Sequence, residues 1–128
     1  MIKEDEISTQ IIGCAMEVHR TLGAPSLLES VYEAALVWEL RPRELLVERQ
    51  MYVSIVYKGQ TMVDPLRLDI LVDKLVIIEV KATSTYNSIF EAQVLLYLHF
   101  MNLKRGLVIN FGEKYVKGGV HRIANHLK

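Results

Sequence analysis

The chain has 128 residues, 51% of them hydrophobic and 23% charged, which is enough apolar material for one core and too little length for two ordinary domains, so residues 1–128 are read as a single domain. That hydrophobic content with so few charges excludes the disordered class, and fifteen Lys and Arg balancing fifteen Asp and Glu leave the whole-chain charge silent about nucleic acid. No apolar run approaches the roughly 18 to 20 residues that cross a bilayer, and MIKEDEIST lacks a signal peptide's apolar stretch, so a cytoplasmic protein with no membrane partner is expected.

The halves differ in charge. Residues 1–64 hold six basic against ten acidic side chains, whereas residues 65–128 hold nine against five. From Lys104 onward six basic residues face one acid, Glu113, so that segment suits either a polyanion or plain solvation. Cys14 is the one cysteine, and together with four scattered histidines it offers no zinc-type spacing.

Along the chain, Ile7, Ile11, Ala15, Val18 and Leu22 recur at helical spacing and Gly23 suits the helix end. A second helix is expected from near Ser26, burying Leu28, Val31, Ala35 and Trp38 and stopping about Leu40, because Pro42 disfavours helix in the residue before it. From Val47 the sequence turns β-rich: VERQMYVSIVYK, a Lys58-Gly59 turn, a short QTMV segment, then LRLDILV and KLVIIEVKA. Asp73-Lys74 predicts a two-residue hairpin link between the last two, whose near-continuous apolar runs suit central strands covered on both faces. Ser88-x-x-Glu91 resembles a capping box opening a third helix through about Asn102. RGLVIN reads as a buried strand, and Gly118-Gly119 turns the chain into a last short strand, VHRI. The order is ααβββαβ with a small terminal addition.

Three charges do not belong in strands apolar on both faces: Asp69, Glu79 and Lys81. Desolvating an unpaired ion costs several kcal/mol, so each needs a partner or a task. Strand alternation puts Glu79 and Lys81 on one face with Val80 pointing into the opposite layer, and the hairpin lets Asp69 share that face. Two carboxylates so close repel unless a cation sits between them, and Mg²⁺ prefers oxygen ligands, often one or two carboxylates together with phosphate oxygens. A lysine beside such a pair would orient or help deprotonate a water and offset charge building on a phosphate, which is the chemistry of phosphodiester hydrolysis. The competing reading is a structural cluster in which Lys81 simply pairs with Glu79 or Asp69.

Two further features bear on the site. Gln93 and Tyr97 share a helix face, with Gln93 inside the stripe Ile89, Leu96 and Phe100, where an amide would need partners; an ordinary core role competes. Glu29 lies in the first turn of the second helix, where the helix end favours a carboxylate, and Ser26-x-x-Glu29 is itself a capping box.

The segments LGAPSLLESVYEAAL, VERQMYVSIVYKGQ, LRLDILV, IIEVKA, EAQVLLYL and GLVINFG, in that order over about residues 7–125, resemble the GxxExxY family of the PD-(D/E)XK nuclease superfamily. The resemblance implies an α/β restriction-endonuclease-like core, a central mixed sheet flanked by helices, with acidic ligands on two adjacent strands. It makes Asp69 the first acid, Glu79 and Lys81 the ExK signature, Glu29 the helix-borne acid and Gln93-x-x-x-Tyr97 a counterpart of the QxxxY motif. Ser26 stands where the name motif has its first glycine, Leu66 replaces a usual aromatic, and Pro42 and Glu44 fall where relatives tend to have a basic helix end and a glycine.

The expected function is therefore a Mg²⁺- or Mn²⁺-dependent nuclease, acting on DNA. Asp69, Glu79, the Val80 carbonyl and Glu29 would hold the metal, Lys81 would position the water, and Gln93 and Tyr97 would orient the site or contact substrate. The main rival is a catalytically silent nucleic-acid- or protein-binding module on the same fold, which the neutral overall charge favours. Thiol chemistry at Cys14 is a distant third, since a cysteine on an apolar helix reads as buried and inert. By resemblance a homodimer is expected.

Overall fold

The computed structural model describes residues 2–23 and 28–126. Helix α1 runs Lys3–Leu22 with Glu4, Asp5 and Glu6 in its first turn and Arg20 in its last, each sign at the helix end that favours it. Ile7, Ile11, Ala15 and Val18 are buried as the periodicity predicts, whereas Leu22 is exposed. Gly23 has φ 76° and ψ 178°, so it closes the helix through its N–H to the His19 carbonyl with an extended rather than left-handed ψ.

Helix α2 runs Glu29–Leu40. Its start falls three residues after Ser26, which lies outside the described residues, and the capping box expected there lies outside with it. The face expected inside is largely wrong: Trp38 is 79% exposed, Leu28 74% and Val31 39%, while Tyr32, Glu33, Leu36, Val37 and Leu40 are buried and Ala35 is partly so. ESVYEAALVWEL is apolar around most of its circumference, so periodicity alone offers two stripes; the aromatic stack of Tyr32 on Phe111, centroids 4.8 Å apart, marks the one that packs.

The strands are β1 Val47–Val53, β2 Val56–Tyr57, β3 Gln60–Thr61, β4 Leu66–Val72, β5 Val76–Lys81, β6 Arg105–Asn110 and β7 Val120–Ala124, with helix α3 Ile89–Met101 crossing from β5 to β6. They form a five-stranded mixed sheet in the order β1-β4-β5-β6-β7, antiparallel except for β5 and β6, and a separate β2–β3 hairpin turning at Lys58 and Gly59. The β4–β5 hairpin forms as expected, but its link is three residues long: Leu75 N–H bonds the Val72 carbonyl, and Asp73 and Lys74 have φ 52° and 55°.

Helices α1 and α2 cover one face of the sheet over Ile70, Val72, Ile78, Val80, Leu107 and Ile109; α3 covers the other over Leu68, Leu71, Ile77 and Val108. The central strands are thus apolar on both sides because both sides are roofed. Helix α3 also presents a face other than the one expected. Val94 and Leu98 are buried, while Ile89, Gln93, Leu96 and Phe100 are exposed. Gly106 explains the choice, since a Cβ there would come within 2.6 Å of Val94 Cγ1: the bare backbone of β6 admits Val94. The capping box at the start of α3 does not form; Ser88 makes no side-chain cap, Asn87 Oδ1 accepts the Ile89 N–H at 2.9 Å, and Glu91 accepts the Tyr86 hydroxyl.

Candidate active site

The site begins with a break in two strands at the same level. β1 and β4 stay in register on both sides of Gln50 and Asp69 (Arg49↔Ile70, Met51↔Leu68), but those two residues themselves do not pair. Gln50 has φ 51°, a left-handed value inside a strand. Side chains change layer across this point: Val47, Ile70 and Val72 pack under α1 and α2, whereas Met51, Val53 and Leu68 pack under α3. The buried Glu33 of α2 holds the irregular turn, accepting from Arg49 Nε at 2.7 Å and from Gln50 Nε2 at 2.8 and 3.0 Å.

The β4–β5 ladder ends at Ile70↔Ile78, just where Asp69 would face Glu79. Side chains take over from the ladder. Val80 N–H donates to Asp69 Oδ2 at 2.9 Å, and Asp69 N–H donates to Glu79 Oε1 at 3.3 Å, so each carboxylate caps the opposing strand. Lys81 Nζ lies 4.0 Å from Glu79 Oε2 and 4.5 Å from the centroid of the Phe90 ring on α3. Because Phe111 N–H bonds the Lys81 carbonyl, the backbone of Lys81 faces β6 and that of Val80 faces β4; the Val80 carbonyl therefore opens into the gap beside Asp69.

Electrostatically the two acids are strained as ions. Burial raises the Glu79 carboxyl to about 7, helped by the negative charge of Asp69 and to a lesser degree of Glu29, and opposed by Lys81 and the Asp69 N–H. Asp69 is raised as well, first by burial and then by the charges of Glu33 and Glu29, against the Val80 N–H and Lys81. Tyr97 on α3 has its hydroxyl raised by burial and by the charges of Glu79 and Asp69, with Arg67 acting the other way.

Asp69, Glu79, Lys81 and the Val80 backbone therefore converge. Glu29 is exposed at the start of α2, with its charge within reach of both strand acids, and Tyr97 is half-buried beside them. Gln93 does not occupy the buried stripe expected of it; it is exposed one turn before Tyr97. Among the described residues no group of three or more His, Cys, Asp or Glu side chains is gathered as a metal cage. Two carboxylates and a backbone carbonyl still fit Mg²⁺, which keeps several waters, and Asp69 Oδ1 and Glu79 Oε2 are the oxygens not engaged with the opposing strand.

Two supporting residues escape a sequence reading. One is Glu33, whose partners Arg49 and Gln50 are not visible until α2 is laid on β1. The other is Asn110, fully buried, which accepts from Thr83 N–H and Gly112 N–H and donates to the Thr83 carbonyl, all at 3.0 Å, fixing the chain just beyond Lys81. A polar residue closing the apolar run RGLVIN is its signal. Cys14 is buried, and burial raises its thiol, as an inert core cysteine requires.

A family model of the PD-(D/E)XK nuclease superfamily matches residues 5–123. The chain belongs to that superfamily. Its five-stranded mixed sheet between helices is consistent with the restriction-endonuclease-like fold of PD-(D/E)XK proteins, and the membership suggests a nuclease-like function with nucleic acid as substrate. No curated protein and no solved structure matches the chain. None of its helices, among the described residues, is long and apolar enough to cross a membrane.

Proposed function

We propose that this PD-(D/E)XK protein is a nuclease of the GxxExxY type that hydrolyses phosphodiester bonds in DNA with Mg²⁺ or Mn²⁺, its residues 1–128 forming one domain. The observation that carries the reading is the reciprocal capping of Asp69 and Glu79 at the place where the β4–β5 ladder stops, with Lys81 4.0 Å from Glu79. Asp69, Glu79 and the Val80 carbonyl hold the metal, and Glu29 contributes directly or through water. When bound, the cation supplies Lewis-acid stabilisation of charge on the scissile phosphate. Lys81 positions the attacking water, while Gln93 and Tyr97 orient the site or contact substrate.

The test is cleavage of DNA in Mg²⁺ or Mn²⁺ by wild type and by Glu79→Ala and Lys81→Ala variants that still fold. Cleavage that needs metal and vanishes in both variants supports the reading; retained activity in both overturns it. The chain's zero net charge favours a second reading, a silent binding module, which salt-sensitive DNA binding without cleavage in any divalent metal would select. A homodimer belongs to the proposal as well, with the exposed Val31 and Trp38 of α2 and Leu28 just before it as an apolar strip. Sedimentation equilibrium at the mass of one chain would remove it.

A further inference from the structure

Strand directions bring two separate loops to the end of the sheet where Lys81 stands. Lys81 closes β5 and pairs with Asn110 at the end of the parallel β6, so the link from β6 to β7 leaves from that end. β4 runs the other way, so its first residue, Leu66, and the Val53 opposite it are at the same end, and the β2–β3 hairpin lies between those two strands in the chain. Each loop carries the same pair of side chains. Lys58 Nζ is 5.4 Å from the Tyr57 ring centroid, and Lys114 Nζ is 5.6 Å from that of Tyr115. A third pair sits on the strands: Tyr52 and Arg67 are opposite in register, both exposed, with Arg67 two residues before Asp69. The Arg67 charge is felt at the Tyr97 hydroxyl together with those of Glu79 and Asp69. Tyr52 is 66%, Tyr57 59% and Tyr115 69% exposed, so three rings at one end of the sheet stand largely open to solvent, Tyr115 also lining a cavity beside Met16 and Arg20 of α1.

Resting on the nuclease reading above, we infer that these three tyrosine–cation pairs form the track along which a single strand of DNA is held across the site. The bases of a duplex keep their faces stacked on one another, whereas an unpaired strand offers each face to a ring and its phosphates to the cation alongside. The gap between β1 and β4 lies three strand spacings from that between β6 and β7, about 14 Å at ~4.8 Å each. Three cations also suffice for a chain of zero net charge, because sequence-tolerant stacking supplies the remaining affinity.

The experiment is fluorescence anisotropy in EDTA, with a labelled oligothymidylate of about 12 nucleotides and the same strand annealed to its complement. The single strand is expected to bind more tightly than the duplex. Tyr57→Ala and Tyr115→Ala, each with unchanged melting temperature, are expected to weaken it about tenfold. Lys58→Ala and Lys114→Ala are expected to shallow the log–log salt slope by about 0.7 each. Equal or tighter duplex binding, or unchanged affinity in both tyrosine variants, overturns the track. The two ideas fail separately: these binding results without cleavage in any metal end the nuclease reading and leave the track, whereas metal-dependent cleavage with indifferent tyrosines does the reverse.

Discussion

Asp69 and Glu79 each satisfy the backbone of the strand on which the other stands: Val80 N–H bonds Asp69 Oδ2, and Asp69 N–H bonds Glu79 Oε1. The exchange fixes both carboxylates in a half-dry gap before any metal arrives. Burial, with the charge of Asp69 adding to it, raises the Glu79 carboxyl to about 7.

The raised carboxyl makes the metal-free protein less stable at higher pH. Its folded value exceeds the unfolded value, so the native state holds a proton that the unfolded chain has released; the stability is full below about 4.5 and is lost as pH rises through about 7. The change integrates to roughly 3 kcal/mol, and Asp69, also raised, acts in the same direction. Urea unfolding in EDTA should show Glu79→Gln gaining on wild type by about that amount between about pH 4 and pH 8. A constant difference between the two would contradict the origin given for the shift.

Metal should reverse that penalty. At about pH 8 both carboxylates are ionised, and Mn²⁺ at about a hundred times its dissociation constant should stabilise the protein by about 2.7 kcal/mol. The corresponding rise in melting temperature, several degrees, should shrink below about pH 6, where a proton occupies the gap instead. Asp69→Asn should abolish it.

Asn110 predicts a stability effect with a functional shadow. Asn110→Ala leaves two backbone N–H groups and one carbonyl without their partner, which should cost roughly 2–4 kcal/mol in equilibrium unfolding. Because the bonds fix Thr83, two residues beyond Lys81, a nuclease assay at a temperature where the variant is folded should show a lower kcat.

Glu33 should matter more to the fold than to the chemistry. Glu33→Ala removes the acceptor of Arg49 and Gln50 at the point where β1 changes face, and about 2–3 kcal/mol of stability should go with it, less than the roughly 3–5 kcal/mol of a fully buried pair because Arg49 is partly exposed. Glu33→Gln, able to accept one of those bonds, should recover part of the loss in urea unfolding.

What could be read in the sequence followed local rules. The β4–β5 hairpin, the Lys58-Gly59 turn and the central strands announced themselves through turn chemistry and unbroken apolar runs, and the same runs made Asp69, Glu79 and Lys81 conspicuous. Helix faces were another matter. α2 and α3 are apolar on more than one side, so the buried stripe was settled by partners distant in sequence, Phe111 for Tyr32 and Gly106 for Val94. The reversal at Gln50 could not be foreseen, because a non-glycine at φ 51° is held there by Glu33, 17 residues away.

The most direct measurement is the anomalous difference map of a crystal soaked in Mn²⁺. A peak is expected between Asp69 and Glu79, within ligand distance of a carboxylate oxygen from each and of the Val80 carbonyl. A well-ordered gap with no peak there, or Mn²⁺ bound only elsewhere, would contradict it.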